Sequence, residues 1–394
     1  MEHLLAHLQK PNLIILVNRG LSMFLGGGEV IDLQLAQEFK QRGYTVEFLT
    51  SKPLFQEPRL GPPNGFATHF IRTPWLYDVS QWLSALPFVS RFKLAALVRI
   101  SDEILFQCNA YFWLRRRRAN AVGVLTCALP LLGLLLERIS KVPSITFLHG
   151  PPSPIWKPLC ARLRLLLCAG TTLGHFPEMG ARVLRADPRI DKSAFRRLGD
   201  QASHKAKLGI LANTFVVLSV GRLVSFKGLR AGMVEFKRFC TAEPDAIWLI
   251  LGDGPLRQTL AEDIKRHNLE ANIRLVGPVS RDDLPAYYAA ADVTFIPSLY
   301  ESFSIVALES MACEVPILAR RAGYLPTLLG ESGAGVLYHD EQTAEQRFMD
   351  LHRSPELRSN LASSGGSFIA SRDLTSWTNI VEQMERHLLN AQRA

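Results

Sequence analysis

Cysteine is scarce in this 394-residue chain: Cys108, Cys127, Cys160, Cys168, Cys240 and Cys313 lie far apart in apolar surroundings, and none belongs to a CxxC pair. That spacing excludes the disulfide-dense scaffold of a small secreted domain and fits buried free thiols in a reducing compartment. A secretory leader is not expected, because MEHLLAHLQKPN has an acid at position 2 and no long apolar core before a cleavage site. Internal repeats of roughly 20–50 residues and low-complexity tracts are lacking too, which excludes solenoid architectures.

An unbroken apolar run of membrane length is also missing. The nearest approach is 119–136, eighteen uncharged positions after the basic run Arg115 to Arg118. It has the length and flank of a spanning helix, but Pro130 interrupts it. The β-leaning Ala121–Thr126 and the Leu-rich Leu131–Ile139 predict instead a buried strand followed by a helix.

Hydrophobic residues are plentiful, at 47%, too many for a disordered chain, and at ~100–200 residues per domain the length predicts two domains. The net charge of +9 is unevenly placed: residues 1–200 carry 25 basic and 14 acidic side chains (+11), the remainder 20 and 22 (−2). The first half therefore calls for an anionic partner: a membrane surface, a nucleic acid or a phosphorylated substrate.

The order of elements predicts an α/β chain. The apolar run Asn12–Val17 is followed by Gly26, Gly27 and Gly28, a helical pattern over Glu29–Gln41, the helix-ending Gly43 and a strand over Thr45–Leu49. This is the unit of a doubly wound sheet, and Ala121–Thr126 and Ser144–Leu148 extend it. The polar, basic stretch Ala186–Ile210 reads as an interdomain connection. A second series follows, with strands over Thr214–Ser219, Ala246–Leu251, Ile273–Val276, Val293–Ile296 and Val315–Ala319. The pattern Trp377–Leu389 predicts a last helix with Trp377, Ile380, Val381, Met384 and Leu388 on one face.

Two segments carry chemistry. In SLYESFSIVALESMACEVP, Glu301 falls in a loop after a strand, and Glu309 about two turns along a helix expected to begin near Ser302, which separates them by roughly 10 Å. That span suits a sugar at one end, a ribose at the other and a diphosphate between. The amides of Phe303, Ser304 and Ile305 are then expected to donate to phosphate oxygens at the helix start. In SVGRLVSFKG, Arg222 and Lys227 follow the C-terminal end of a strand, at the crevice of an α/β sheet, where they can neutralise a diphosphate leaving group without a metal.

Together these segments resemble glycosyltransferase family 4, the retaining GT-B enzymes that use nucleotide-diphosphate sugars. The match runs through Val217, Gly221-Arg222-Leu223, Lys227-Gly228, Leu251 to Pro255, Leu275-Val276-Gly277, Tyr287 to Asp292, Pro297-Ser298 and Glu301 to Pro316, with Gly26 to Glu29, Leu35, Ala36, Gly43 and His149 in the first half. The resemblance implies two Rossmann-like doubly wound domains facing a central cleft: an acceptor-side domain over 1–190, a donor domain over 191–375, and a helix at 376–394 packing back toward the first. It implies that Arg222 and Lys227 hold the diphosphate and Glu309 the ribose. Glu301 and His149 would meet the sugar, as Gly26 and Gly27 let the backbone approach it, and Gly277 would join the donor site.

The expected reaction is retaining sugar transfer without metal or cofactor, from a nucleotide sugar to an acceptor glycan, lipid or small molecule. A sugar-nucleotide epimerase or hydrolase, and a non-catalytic nucleotide-sugar-binding subunit, are the alternatives. The family often has glycine where Ser304 and Glu314 stand, which crowds the donor loop and alters a helix end, and Arg185–Phe195 lacks the usual asparagine-glycine turn. Residues 75–118 interleave Trp75, Trp82, Phe88, Phe92, Phe106, Phe112 and Trp113 with Arg91, Lys93, Arg99 and four consecutive arginines. That mixture suits an anionic bilayer; no nucleic-acid motif accompanies it. A cytoplasmic protein, peripheral on the membrane face, is expected.

Overall fold

The computed structural model describes residues 12–22, 27–54, 61–74, 76, 79–80, 94–117, 121–372 and 377–393. Of the residues singled out above, Gly26, Trp75, Trp82, Phe88, Arg91, Phe92, Lys93 and Arg118 lie outside these. The chain divides into two units, residues 1–187 with 376–394, and residues 188–375.

The first unit holds β1 (Leu13–Val17), β2 (Thr45–Pro53), β3 (Ala67–Thr73), β4 (Ala121–Cys127), β5 (Ser144–Leu148), β6 (Leu166–Cys168) and β7 (Val183–Arg185). They form one sheet in the order β3-β2-β1-β4-β5-β6-β7, every pair parallel. The apolar runs of β4 and β5 are buried along their whole length, as parallel strands covered by helices on both faces must be. Helix α1 (Gly27–Gln41) follows β1 and buries Val30, Ile31, Leu35, Ala36 and Phe39; α2 (Leu94–Arg117) precedes β4. The stretch 119–136 resolves, in its described part, into β4 and a helix over Pro130–Leu135. Proline opens that helix, where its missing N–H is no loss. No helix among the described residues is long and apolar enough to cross a membrane.

The second unit holds β8 (Val216–Val220), β9 (Ile247–Leu251), β10 (Ile273–Gly277), β11 (Val293–Ile296), β12 (Ile317–Arg320) and β13 (Gly335–Tyr338), in the parallel order β10-β9-β8-β11-β12-β13. Successive strands run outward from β8 on one side and from β11 on the other, so a crevice opens beyond their carboxyl ends. Helix α3 (Gln201–Lys207) precedes β8, α4 (Leu229–Ala242) follows it, and α5 (Ile305–Ala312) follows β11.

Two expectations are refined here. The stretch Ala186–Ile210 carries the boundary between the two units, at Asp187/Pro188, and most of it belongs to the second unit, where Ile190, Phe195 and Ile210 are buried in the core. Its polar residues are used locally, with Asp191 accepting the Ser193 and Ala194 amides, and with buried Lys205 on α3 donating to Asp292 at 2.8 Å. Helix α5 starts at Ile305 rather than near Ser302, because Ser304 takes the cap position at φ 88° and its Oγ accepts the Ala307 amide.

Helix α6 (Thr378–Arg393) belongs to the first unit. Val381, Met384 and Leu388 are buried, Arg42 donates to Glu385 and to the Thr378 carbonyl, and a Cβ on Gly123 of β4 would lie 2.5 Å from Leu388 Cδ2.

Candidate functional site

Three neighbouring strands of the second unit leave the sheet through glycine. The Gly221 amide donates to the Leu251 carbonyl at 3.0 Å, and the Gly252 amide to the Gly277 carbonyl at 2.7 Å. Gly252 sits at φ 125°, and a Cβ there would stand 2.0 Å from the Gly221 carbonyl oxygen. No other residue fits this position. The loops after β8, β9 and β10 therefore stack backbone on backbone, and the first of them is fixed where Arg222 begins.

Beyond Arg222 a short turn, Ser225–Lys227, presents Lys227 just before α4. A cavity with about 340 Å³ of empty space lies at these strand ends, lined by Gly221, Arg222, Lys227, Ser298, Glu301 and Val306, among others. Lys227 Nζ donates to Glu301 Oε1 at 2.6 Å, and Ser298 Oγ donates to the same oxygen at 2.8 Å. The Glu301 backbone is held as firmly: its carbonyl accepts the Tyr324 amide at 2.8 Å, Gly323 at φ 56° leaves a gap that a Cβ would close to 1.9 Å from that carbonyl, and Phe303 stacks on Tyr324. Both charges are largely sheltered, so each is stronger toward a ligand than it would be in water.

Glu309 is buried on α5. Arg281 Nη1 donates to its Oε1 at 2.9 Å and Tyr288 Oη to its Oε2 at 3.0 Å, and the Arg281 guanidinium lies over the Phe195 ring. Burial raises the Glu309 pKa above the ordinary carboxylate value, against the opposing pull of Arg281 and Tyr288. The first helical amides of α5 belong to Ile305 and Val306. Phe303 lies before the cap, and neither it, Ser304, Ile305, Gly277 nor Glu309 lines the cavity.

The first unit gathers a different set. His149 follows β5 and packs against Phe147, its Nε2 3.2 Å from Asp32 Oδ1; Asp32, fully buried on α1, accepts Asn18 Nδ2 at its other oxygen. Burial alone would lower the His149 pKa, but Asp32 and then Glu29 outweigh it and the pKa is raised. The ligand atoms of Asp32, Cys127 and His149 all lie within 4.8 Å of one another, and burial holds the Cys127 thiol well above its usual pKa.

Of the residues chosen from sequence, Arg222, Lys227 and Glu301 come together in one cavity. Gly27 opens α1, but it is Gly28 that faces His149, since a Cβ there would be 2.9 Å from the imidazole Cδ2. Sequence reading gave no role to Ser298 and Tyr288, though both fall in matched segments, and passed over Arg281 and Asp32. Ser298 stands beside the motif that names Glu301; the other three are joined to their partners only by the fold.

Comparisons with known proteins bear on the family and the fold. A family model described as glycosyl transferases group 1 matches residues 200–367. Over 348 residues the chain is 33% identical to a D-inositol 3-phosphate glycosyltransferase from Kineococcus radiotolerans, covering 79% of this chain and 76% of that one. It is 32% identical over 171 residues to a protein of the same name from Corynebacterium glutamicum, 41% of each chain. In three dimensions it is similar to sucrose-phosphate synthase from Thermosynechococcus elongatus, with a TM-score of 0.76 at 19% identity over 96% of this chain and 100% of that one. Anabaena HepE in complex with UDP-glucose gives 0.71 at 18% identity over 96% and 99%. The structural likenesses show the fold, two Rossmann-like parallel sheets of the GT-B kind.

Proposed function

The chain belongs to the group 1 glycosyl transferases, and we propose that it moves a sugar from a nucleotide-diphosphate donor to an acceptor with retention at the transferred carbon. The observation that carries the donor assignment is the meeting of Arg222, Lys227 and Glu301 in one cavity at the β8 and β11 ends. Lys227 has three donors and spends one on Glu301, so it can bond diphosphate oxygens without releasing that carboxylate. Arg222 supplies a second, forked cation. Such charges act where the leaving diphosphate gains negative charge, the task a divalent ion performs elsewhere, and the proposal accordingly needs no metal.

Glu301 takes the sugar hydroxyls in this reading, using the lone pairs that Lys227 and Ser298 leave open. Glu309 takes the ribose hydroxyls: each of its oxygens keeps a second lone pair beside Arg281 or Tyr288. The Ile305 and Val306 amides and the start of α5 favour the phosphate charge. Retention, and a sugar contact by His149, rest on the family resemblance; Gly28 and Asp32 support the second by fixing where the imidazole stands and how it is charged.

HepE is seen with UDP-glucose, and the relatives are named D-inositol 3-phosphate glycosyltransferases. For this chain we take a nucleotide sugar as donor and an anionic or membrane-proximal acceptor, lipid-linked included, reached from the cytoplasmic side. The +11 charge of residues 1–200 supports that choice. The test is nucleoside diphosphate release from a panel of nucleotide sugars with and without candidate acceptors. Release only with acceptor supports transfer; release from donor alone identifies a hydrolase, and binding without turnover a binding subunit.

A further inference from the structure

Helix α2 is apolar on its outer face as well as on its buried one. Its buried side carries Asp102 and Gln107 along with Phe106, Ala110, Tyr111 and Leu114, while large apolar residues face outward: Leu97 is 64% exposed, Ile104 38%, Leu105 42% and Phe112 59%. At ~100° per residue these four fall within about 100° of arc, opposite the buried set. Ser101 and the half-buried Cys108 complete the stripe, which ends at the exposed Arg115 and Arg116.

No acid shares that face. Asp102 is buried, pairs with Arg19 and accepts the Leu76 amide; Glu103 is half-buried beside Arg99 and accepts the Trp156 indole N–H at 3.0 Å. The acids of α2 are thus committed inward, and what remains outside is apolar or positive apart from Ser101, whose hydroxyl donates to the Val98 carbonyl. Two residues that a reading of composition would enrol belong elsewhere. Phe106 lies in the core, and Trp113 packs against the core with Arg117 over its ring.

We propose that the outward face of α2 is a docking surface for an anionic lipid bilayer, with Leu97, Ile104, Leu105 and Phe112 in the acyl boundary and Arg115 and Arg116 on headgroup phosphates. A stripe about 29 Å long from Leu97 to Arg116, apolar along most of its length and positive at one end, matches a surface that is apolar inside and negative outside. A nucleic acid would leave the four apolar side chains facing phosphate. A second copy packed through the same face of α2 would bring the arginines no acid from that face. The surface supplies the place for the membrane-proximal acceptor proposed above, yet its test reads lipid binding alone, so either idea can fail without the other.

The full chain is sedimented with vesicles of neutral phospholipid, and with vesicles in which a third of the lipid is anionic, at low and physiological salt. Sedimentation is expected with the anionic vesicles only, weakening as salt screens the arginines beyond about 8 Å. Leu105→Glu combined with Phe112→Glu should lower the bound fraction at least tenfold, while donor turnover on a water-soluble acceptor is unchanged. Arg115→Ser with Arg116→Ser should remove the preference for anionic lipid. The proposal is overturned if the unmodified chain stays in the supernatant at low salt, if the glutamate variant sediments like the unmodified chain, or if that variant instead converts a dimer to a monomer.

Discussion

Lys227 and Glu301 neutralise each other across 2.6 Å in the candidate donor cavity, with Ser298 on the same carboxylate oxygen. The pair presets both side chains: the lysine is aimed without being consumed, and the carboxylate is oriented before any ligand arrives.

Lys227→Ala should therefore lower turnover at saturating donor by about 10²–10³, the usual cost of removing one group that answers charge growing in the transition state. Folding should survive, since Ser298 and the Tyr324 amide still hold Glu301 and its loop. Nucleoside diphosphate release with acceptor present, together with thermal unfolding, measures both; near-normal turnover would remove Lys227 from the leaving-group role.

Glu309→Gln is expected to weaken donor binding roughly tenfold, about 1.4 kcal/mol, because the amide returns one acceptor fewer to the ribose. Tyr288→Phe separates support from contact: it strips one donor from a buried carboxylate and should cost about 1–3 kcal/mol of stability. Calorimetric titration with nucleoside diphosphate and denaturant unfolding distinguish the two, and an unchanged affinity in the glutamine variant would count against the ribose assignment.

Glu314 occupies the left-handed region at φ 54° just after α5, where the family often has glycine. Glu314→Gly should stabilise the chain by about 1 kcal/mol, as relief of ~1–2 kcal/mol of backbone strain exceeds the loss of the exposed Arg197 pair, worth about 0–1 kcal/mol. Ser304→Gly at φ 88° should come out close to neutral, because relief there is offset by loss of the cap on Ala307. A destabilised Glu314→Gly variant would contradict the strain account.

The raised pKa of His149 gives a pH dependence of definite sign. Its stabilisation is full below the unfolded histidine value of about 6.5 and disappears as pH rises through the higher folded value. Asp32→Asn should bring the His149 pKa down and flatten that part of the stability profile. Imidazole proton NMR titration of the two proteins reads it directly; equal titration midpoints would mean that Asp32 does not hold the imidazole's charge.

Buried parallel strands announce themselves as apolar runs, so Ser144–Leu148 and Val293–Ile296 are legible to the residue. The strands that escape notice are of other kinds. β3, ATHFIRT, is an edge strand whose first four positions are exposed or half-buried, with His69 and Arg72 breaking any apolar run, while β6, β7 and β13 are three or four residues long, too short to show any period. The same contrast holds at the site. Arg222, Lys227 and Glu301 sit at strand ends that sequence reading can place, whereas Arg281 and Tyr288 reach Glu309 from SRDDLPAYY, where neither the helix start nor the matched Tyr287–Asp292 segment says which carboxylate they meet. Asp32 is the plainest omission: a charged residue on the buried face of α1 breaks the apolar pattern, and that break was the available signal.

Helix α6 completes the first unit, yet the whole second unit separates it from the rest of that unit along the chain. During synthesis, β4 emerges with the Gly123 groove uncovered, and Leu388 cannot fill it until residues 188–375 have followed. At ~5–20 residues per second that interval is roughly 10–40 s. The second unit can fold as it leaves the ribosome; the first must wait with an apolar face open to water. Nascent-chain aggregation, chaperone capture and sensitivity to premature termination should therefore concentrate on the half of the protein that is made first.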